Sequence, residues 1–323
     1  MRITAALLLA AAVLCGCSKP ARTDPVLKFS IVPAEDQASM GRVWQPLLDD
    51  LQKQTGLKVE ASFASNYMGM IEAMRFDQVQ VGWFSALPAL EAVNRANAEV
   101  LGRIVDKGGE GGLYESVLIA RKDRHVTLAD VLKCDKRLNF GLGDPNSTSG
   151  TLAPLAYLFA PRGSDPTECF KTVRSASHQA NMLGVAYNTL DVATANTVTL
   201  VFARRQNPEI ADKIEVIWRS PPLPESSILV RKSVDPAVKA KLKRFFMTYG
   251  TATGPEGEHE RKVLDALTYG GFRPVDDSYL DPIRLMVASK DLNEARHSGD
   301  VAKIAAARKA FDAIDAKPTA HAG

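Results

Sequence analysis

The sequence predicts an α/β protein built of two lobes with a cleft between them. Short apolar runs alternate with amphipathic stretches along the chain, which is typical of alternating strands and helices. A glycine cluster at 108–112 and a proline cluster at 221–224 interrupt this pattern, and an apolar strand follows each of them. We therefore predict that the chain crosses between the lobes near 108–120 and 219–230. Ligands of such folds bind beyond the carboxyl ends of the strands.

The first series of predicted elements forms the start of lobe 1. A helix at 40–54 carries Val43, Leu47 and Leu51 on one face, and Gly56 lies just past its end. The remaining stretches of this series predict strands at 26–32, 57–63, 79–84 and 100–105 and helices at 67–76 and 88–96.

A second series and a return to the first lobe complete the pattern. The predicted strands are at 114–120, 138–142, 170–175, 190–193, 214–218 and 228–231, with helices between them and at 236–249. A further helix at 291–316 is rich in Ala, Lys and Asp, and it is either a solvated surface helix or a dimer contact. The expected division is lobe 1 at 26–115 and 225–285, lobe 2 at 116–224, and a helical tail at 286–323.

Composition and motifs exclude several classes of protein. The chain has 323 residues, 46% hydrophobic and 24% charged, and its net charge of +3 is not concentrated in any basic run. A nucleic-acid partner is therefore not expected. The GxSxG, HExxH and P-loop motifs are missing, and no His, Asp or Glu cluster has metal-ligand spacing. We expect no enzymatic activity, no metal and no cofactor.

The N-terminus has the features of a lipoprotein signal peptide at 1–16. Arg2 precedes an apolar stretch at 3–14 that is too short to span a membrane as a mature helix. The sequence Leu14-Cys15-Gly16-Cys17 resembles a lipobox, which predicts cleavage before Cys17, lipidation of Cys17 and a polar tether at 17–25. The alternative is secretion without a lipid. Either way we expect an exported protein on the periplasmic or cell-surface side, held there by a lipid if Cys17 is modified.

Two further cysteines remain in the mature chain. Cys134 and Cys169 flank one predicted strand–helix unit, and outside the cytoplasm two such thiols often form a disulfide. Spacing alone does not show that their Cβ atoms meet, so a disulfide and two separate thiols both remain possible.

A polar turn follows the predicted strand at 138–142. Its sequence, Gly143-Asp144-Pro145-Asn146-Ser147-Thr148-Ser149-Gly150, leads into an apolar run. Backbone N–H groups at a helix start, the helix dipole and adjacent hydroxyls together make an anion site. Gly150 permits close approach of the backbone. The turn predicts either an anion site at Ser147, Thr148 and Ser149 or a simple helix cap.

Three more polar side chains begin predicted elements that open on the cleft. His178 follows a strand end and can donate a hydrogen bond from a neutral or a charged ring. Tyr67 and Tyr114 each carry a phenolic donor at the start of an element. Each of the three also has an ordinary structural interpretation as a packed side chain.

The polar turn and six other segments resemble the corresponding segments of the phosphonate-binding (PhnD-type) proteins of ABC transporters. The resemblance covers roughly residues 27–285 and includes Asn66-Tyr67-Met68, Gly82-Trp83-Phe84, Tyr114-Glu115-Ser116, His178-Gln179-Ala180-Asn181, Val216-Ile217-Trp218 and Phe245-Phe246-Met247. It implies a type II periplasmic-binding-protein fold whose two lobes close on a phosphorus oxyanion. It also implies that Ser147, Thr148, Ser149, His178, Tyr67 and Tyr114 bind the ligand.

The sequence departs from this family where the ligand's substituent would lie. Members that bind 2-aminoethylphosphonate hold its ammonium with two acidic residues, and these align with Val198 and Ser226. An unpaired buried ammonium is costly, so we expect 2-aminoethylphosphonate to bind poorly. Glu225 would substitute only if its loop shifted. The resemblance therefore implies methylphosphonate, phosphite or phosphate as the ligand and an ABC permease as the partner, with a ligand-sensing subunit of a membrane signalling system as the alternative.

Overall fold

The computed structural model describes residues 26–107 and 113–316. The expected signal peptide, Cys17 and the tether lie outside the described residues, as does the glycine cluster at 108–112. Within the described part of the chain, none of the helices combines the length and the apolar character that crossing a membrane requires.

Thirteen strands form two main sheets and a small ribbon. In chain order they are β1 (Leu27–Ile31), β2 (Val59–Phe63), β3 (Val81–Phe84), β4 (Ala98–Asp106), β5 (Leu113–Tyr114), β6 (Ser116–Arg121), β7 (Asn139–Leu142), β8 (Thr172–Ser175), β9 (Val192–Asn196), β10 (Ile214–Arg219), β11 (Leu223–Pro224), β12 (Ser227–Arg231) and β13 (Tyr269–Arg273).

The described part of the chain has twelve α-helices, most of which pack on the two sheets. They are α1 (Gln37–Thr55), α2 (Tyr67–Arg75), α3 (Ala86–Arg95), α4 (Leu128–Leu132), α5 (Pro166–Cys169), α6 (His178–Ala186), α7 (Thr197–Gln206), α8 (Pro208–Ala211), α9 (Pro236–Thr248), α10 (Gly254–Ala266), α11 (Asp281–Ser298) and α12 (Val301–Asp315). Two wide π-helical segments, Thr148–Leu152 and Leu155–Phe159, follow β7.

The first sheet has the strand order β13-β4-β12-β3-β1-β2, and the second has the order β10-β6-β9-β7-β8. In the first, β1 pairs in parallel with β2 and β3, while β12 and β13 return antiparallel to their neighbours. In the second, β7 lies parallel to both β8 and β9. The carboxyl ends of parallel strands meet at one edge of each sheet, where ligand sites form.

The ribbon of β5 and β11 lies between the sheets, because both crossing segments contribute a strand to it. Tyr114 pairs with Leu223, while Ser116 and the residues after it pair with β9 in the second sheet. The single strand predicted at 114–120 is therefore two strands, separated at Glu115 where the chain changes sheets.

Each lobe has its own apolar core. In the first lobe, Phe29, Trp44 and Trp83 pack ring to ring and are buried. In the second, Val117 and Ile119 of β6 pack on one face while Leu118 packs on the other. This alternation follows from the two-residue period of a strand and allows helices to cover both faces of the sheet.

The C-terminal helix differs from the prediction. The structure has two helices instead of one at 291–316, because Gly299 ends α11 in the left-handed region (φ 67°) and Asp300 caps α12. Since α11 begins at Asp281, the expected tail boundary at 286 falls inside a helix. Within α12 none of the described residues is buried.

A disulfide joins Cys134 and Cys169, whose Cα atoms are 3.8 Å apart. It connects the segment before β7 to the end of α5, close to the buried rings of Phe140 and Phe170 in the second lobe.

Candidate functional site

A cavity of about 60 Å³ lies between the two lobes. One water needs roughly 10–15 Å³ of such volume, so the cavity holds about four to six water-sized groups. The predicted site residues on its wall are Tyr67, Tyr114, Ser147, Ser149, His178, Val198, Glu225 and Ser226. Residues from six separate parts of the sequence are therefore brought together at one small site.

The polar turn after β7 depends on two glycines whose backbones touch. Gly143 donates its N–H to the carbonyl of Gly150 at 2.9 Å. A Cβ on Gly143 would lie 2.5 Å from the Gly150 Cα, and a Cβ on Gly150 would lie 2.8 Å from the Ser147 Oγ. Neither position has room for a side chain, which explains why glycine stands at both ends of the turn.

Ser147 and Asp144 shape this turn. The Ser147 Oγ accepts the N–H of Gly150 at 3.0 Å, and so Ser147 acts as the helix cap that the sequence predicted as one alternative. The Asp144 Oδ1 accepts the N–H of Asn146 at 2.8 Å. The Asp144 carboxylate therefore stabilises the turn.

Ser149 lies at the centre of a buried polar network. Its Oγ accepts a hydrogen bond from the Asn196 Nδ2 at 3.1 Å and lies 3.3 Å from the His178 Nε2. The Asn196 Oδ1 accepts the N–H of Thr199 at 2.7 Å, which fixes the amide so that its nitrogen faces Ser149. Asn196 was not predicted as a site residue from the sequence, although an Asn between a strand and a helix commonly caps the helix.

Thr148 is placed differently from its neighbours in the turn. Its Oγ1 accepts the N–H of Leu87, in the other lobe, at 2.8 Å, and its side chain is not on the cavity wall. A second hydrogen bond between the lobes joins the N–H of Asp36 to the Gln179 Oε1 at 3.2 Å. The Thr148 side chain therefore contacts the other lobe in this structure, and it also bonds to the phenol of Tyr114. Its predicted contact with the ligand stays a prediction.

His178 is a neutral base in this site. Burial lowers its pKa to about 4, and the backbone of Thr194 opposes only part of that shift. Of the two protonation states left open by the sequence, the structure therefore favours the neutral ring at physiological pH. A neutral imidazole has one donor and one acceptor nitrogen, and it adds no full positive charge to the cavity.

The pKa of His178 makes the folded state sensitive to acid. The unfolded chain binds the proton at about pH 6.5 and the folded chain only at about pH 4, so stability is lost as the pH falls through this window. At pH 5 the loss is about 2 kcal/mol. His178→Gln cannot titrate, so the unfolding free energy of the variant relative to wild type should rise by about that amount between pH 8 and pH 5. Urea unfolding at both pH values measures this, and an unchanged difference would contradict a buried neutral His178.

Tyr67 and Tyr114 are protonated phenols that can donate hydrogen bonds. Burial raises the pKa of both side chains well above the ordinary tyrosine value. The Ser147 hydroxyl bonds to Tyr67 and the Ser149 hydroxyl to Tyr114, and each contact partly opposes the rise in pKa. The two phenols thus bring O–H groups from the first lobe and the crossing segment to the polar turn of the second lobe.

Two more hydrogen-bond donors on the cavity wall were not predicted from the sequence. The Trp83 Nε1 and the Ser85 Oγ are buried and have no hydrogen-bond partner among the described residues. Ser85 precedes α3 but makes no capping hydrogen bond. A buried polar group without a partner costs free energy, which a ligand that accepts hydrogen bonds would recover.

The described wall of the cavity presents helix N-termini without a Lys or Arg side chain. Several helices and the π-helical turn contribute their N-terminal residues to its wall, and these residues are Tyr67, Ser85, Ser149, His178, Val198 and Thr199. Neither Lys nor Arg is on the wall that the structure describes. Helix N-termini and O–H or N–H donors aimed at one point favour a small anion with several acceptor oxygens.

Val198, Ser226 and Glu225 form the part of the wall away from the polar turn. Val198 is half-buried, whereas Ser226 and Glu225 are almost fully buried. Glu225, which the sequence indicates as a possible residue of the pocket wall, lines the cavity in the present arrangement of its loop. Burial raises the pKa of its carboxyl to about 7.

Metal binding has no support in the described part of the chain. Over 26–107 and 113–316, no three His, Cys, Asp or Glu side chains are arranged to hold a metal ion.

The chain is similar in sequence to known phosphonate-binding proteins. Residues 29–280 match the family described as ABC transporter, phosphonate, periplasmic substrate-binding protein. The phosphonates-binding periplasmic protein of Escherichia coli is 41% identical over 270 residues, which cover 83% of this chain and 78% of that protein.

Solved structures show the same arrangement of lobes. A binding protein component of an ABC phosphonate transporter from Pseudomonas aeruginosa superposes with a TM-score of 0.85 at 36% identity, covering 90% of this chain and 97% of that one. PhnD1 of Prochlorococcus marinus, solved in complex with methylphosphonate, superposes with a TM-score of 0.71 at 22% identity over 81% of this chain and 96% of that one. The second likeness shows a shared fold of the two-lobed type II class.

Proposed function

Because the chain belongs to the family of periplasmic substrate-binding proteins of phosphonate ABC transporters, we propose that its cavity captures methylphosphonate, phosphite or a similarly compact phosphorus oxyanion and delivers it to the permease. No chemical step is involved. The ligand is bound, enclosed by the lobes and released to the importer.

The observation that carries this proposal is the donor set of the cavity. The hydroxyls of Ser149, Tyr67 and Tyr114 converge with helix N-termini on a volume of about 60 Å³. Hydrogen bonds to an ionised acceptor are about twice as strong as neutral ones, so these donors can replace the water lost by a phosphoryl group. Shape and donors together suit a phosphoryl group with one small substituent.

Closure of the lobes would complete the binding mechanism. The hydrogen bonds from Leu87 to Thr148 and from Asp36 to Gln179 join the lobes near the cavity. Ligand oxygens held by both lobes would favour this closed arrangement over an open one. The permease would then recognise the closed surface.

The uncharged wall around Val198 favours the binding of a compact ligand over that of 2-aminoethylphosphonate. Val198 and Ser226 carry no charge, so an ammonium beside them would lose its hydration without gaining an ion pair. The described wall of the cavity carries two carboxyls, Glu225 and Glu35, that could receive such an ammonium, and they supply the competing ligand hypothesis.

A thermal-shift screen of the mature chain from Ser18 tests the function directly. The panel is methylphosphonate, phosphite, ethylphosphonate, 2-aminoethylphosphonate, phosphate and sulfate. A ligand that binds only the folded state stabilises it by RT ln(1 + [L]/Kd), which is about 2.7 kcal/mol at a hundredfold excess over Kd. We expect the largest shift with methylphosphonate or phosphite. If only 2-aminoethylphosphonate raised the unfolding temperature, the protein would still be a phosphonate-binding protein, but the proposed ligand would be refuted.

Substitution of Val198 should change the ligand preference. In Val198→Glu, a carboxylate on the wall would pair with an ammonium and repel a dianion that lacks one. We expect affinity for 2-aminoethylphosphonate to rise about tenfold, or about 1.4 kcal/mol, and affinity for methylphosphonate to fall. Titration calorimetry on Val198→Glu and on the uncharged Val198→Gln separates charge from size. An equal response of both variants would show that charge at this position does not select the ligand.

The proposed location is the periplasmic or cell-surface side of a membrane, where a lipid on Cys17 holds the protein. The lipobox-like sequence around Cys17 supports this. Cys17→Ala should release the protein from the membrane fraction, and retention of the variant there would refute the anchor. The alternative role as a sensing subunit predicts that loss of the gene alters a signalling output while leaving ligand uptake intact.

A further inference from the structure

Glu225 is a carboxyl that the ligand-binding scheme above leaves without a role. It is only 4% exposed and lies on the cavity wall. Its Oε1 accepts the N–H of Ser226 at 2.7 Å. The causes that set the pKa of this carboxyl are burial, the backbone and hydroxyl of Ser226 and the Asp106 carboxyl. A buried carboxyl of this kind, facing a site built for an anion, requires an explanation.

Other ionisable groups surround Glu225. The phenols of Tyr114, Tyr269 and Tyr279 face it, and its charge contributes to the raised pKa of each. The Asp106 carboxyl adds to the rise in the pKa of Glu225. Arg103 lies over the ring of Tyr279, 5.9 Å from its centroid.

Two further ionisable groups line the cavity. Burial and the neighbouring Asp36 raise the pKa of Glu35 to about 7, and burial lowers that of His178 to about 4. The experiment must therefore separate Glu225 from both of them.

The chemistry of two acceptors in one cavity leads to the inference. An ionised carboxylate and a fully ionised phosphonate both accept hydrogen bonds and donate none, so placing them together is repulsive. One proton between them converts that repulsion into an O–H···O hydrogen bond to an ionised acceptor, which is a strong one. Phosphonates, phosphite and phosphate can supply or share such a proton because their second ionisation lies near neutral pH.

We propose that Glu225 and the bound phosphorus oxyanion share one proton, so that capture of the ligand above neutral pH takes up a proton from solution. The proposal rests on the proposed function, since it needs an oxyanion in the cavity. The proton remains on either the carboxyl or the phosphoryl oxygen, and no covalent bond to phosphorus changes. Glu225 then selects ligands that can share a proton.

The pKa of the empty site supports this inference. Since burial raises the pKa of Glu225 to about 7, its carboxyl is largely ionised at pH 8 before the ligand arrives. An approaching anion favours the protonated form further. Binding at pH 8 should therefore take up about one proton per ligand, and affinity should fall by up to about tenfold per pH unit above pH 7.

Titration calorimetry with methylphosphonate at pH 8, in buffers of different ionisation heat, counts these protons. We expect an uptake of about one proton in wild type and almost none in Glu225→Gln, whose amide can donate directly to the dianion. Glu225→Asp keeps the carboxyl and should retain the uptake. Glu260→Gln is a matched control, because Glu260 is a buried carboxyl of the first lobe that bonds to Gly250 and Gln54 away from the cavity.

Several outcomes would overturn the proposal. Uptake that persists in Glu225→Gln but disappears in Glu35→Gln or His178→Gln would assign the proton to another group. Tightest binding of 2-aminoethylphosphonate, lost in Glu225→Gln, would make Glu225 an ammonium partner instead. Failure of the wild-type protein to bind any phosphorus oxyanion would refute the proposed function itself. If the wild type binds the ligand and Glu225→Gln takes up as many protons as the wild type, only the shared proton would be refuted.

Discussion

Ser149→Ala should weaken the binding of methylphosphonate by about 30-fold to 150-fold, or about 2–3 kcal/mol. The Ser149 hydroxyl is the one group of the polar turn that faces the cavity while contacting both Asn196 and His178. Its loss removes a donor to the ionised ligand and leaves the Asn196 Nδ2 without its acceptor. Removing one partner from a buried charged hydrogen bond costs more than removing a neutral surface contact.

Titration calorimetry at fixed pH measures this change, with Ser233→Ala as the matched control. Ser233 is exposed and follows β12, so the same loss of a hydroxyl there should leave affinity unchanged. Equal affinity of Ser149→Ala and wild type would contradict the assignment of the turn as the oxyanion site.

Removing the disulfide should lower the unfolding free energy by about 4 kcal/mol. Cys134 and Cys169 are 35 positions apart, and closing a loop of this length restricts the unfolded chain by about that amount on the chain-entropy account. The lost cross-link joins the segment before β7 to α5 in the second lobe. We expect the double variant Cys134→Ala/Cys169→Ala to unfold at a clearly lower urea concentration.

The matched control is wild type treated with a reductant. Reduction should lower the stability of wild type by a similar amount and leave the double variant unaffected. A difference below about 1 kcal/mol between the oxidised protein and the variant would show that the bond adds little to stability.

Regular elements were predictable from the sequence because their signals are local. Apolar periodicity and Gly56 located α1, and the polar turn after β7 was found because strand, turn residues and helix follow one another directly. The prediction missed α10 and β13. Gly270 and Gly271 interrupt the apolar pattern of β13, and its pairing with β4 depends on residues far away in the sequence.

The residues of the site were only partly predictable, because a cavity between lobes is a tertiary feature. Ser147, Ser149 and His178 stood at strand ends, where sequence reasoning looks for ligand groups. The unpartnered donors of Trp83 and Ser85 had no such signal, since neither residue type at a strand end indicates a missing hydrogen bond. The orientation of Glu225 was equally hidden, because it depends on how β11 and β12 cross between the sheets.

The proposed function requires that a phosphorus oxyanion binds in the cavity beside the polar turn. A crystal structure of the chain from Ser18 onward, grown with methylphosphonate, would show the position of the ligand. We expect phosphoryl oxygens within hydrogen-bond distance of the Ser149 hydroxyl and of the phenols of Tyr67 and Tyr114, with the methyl group towards Val198. An empty cavity at saturating methylphosphonate, or a ligand bound elsewhere on the protein, would contradict it.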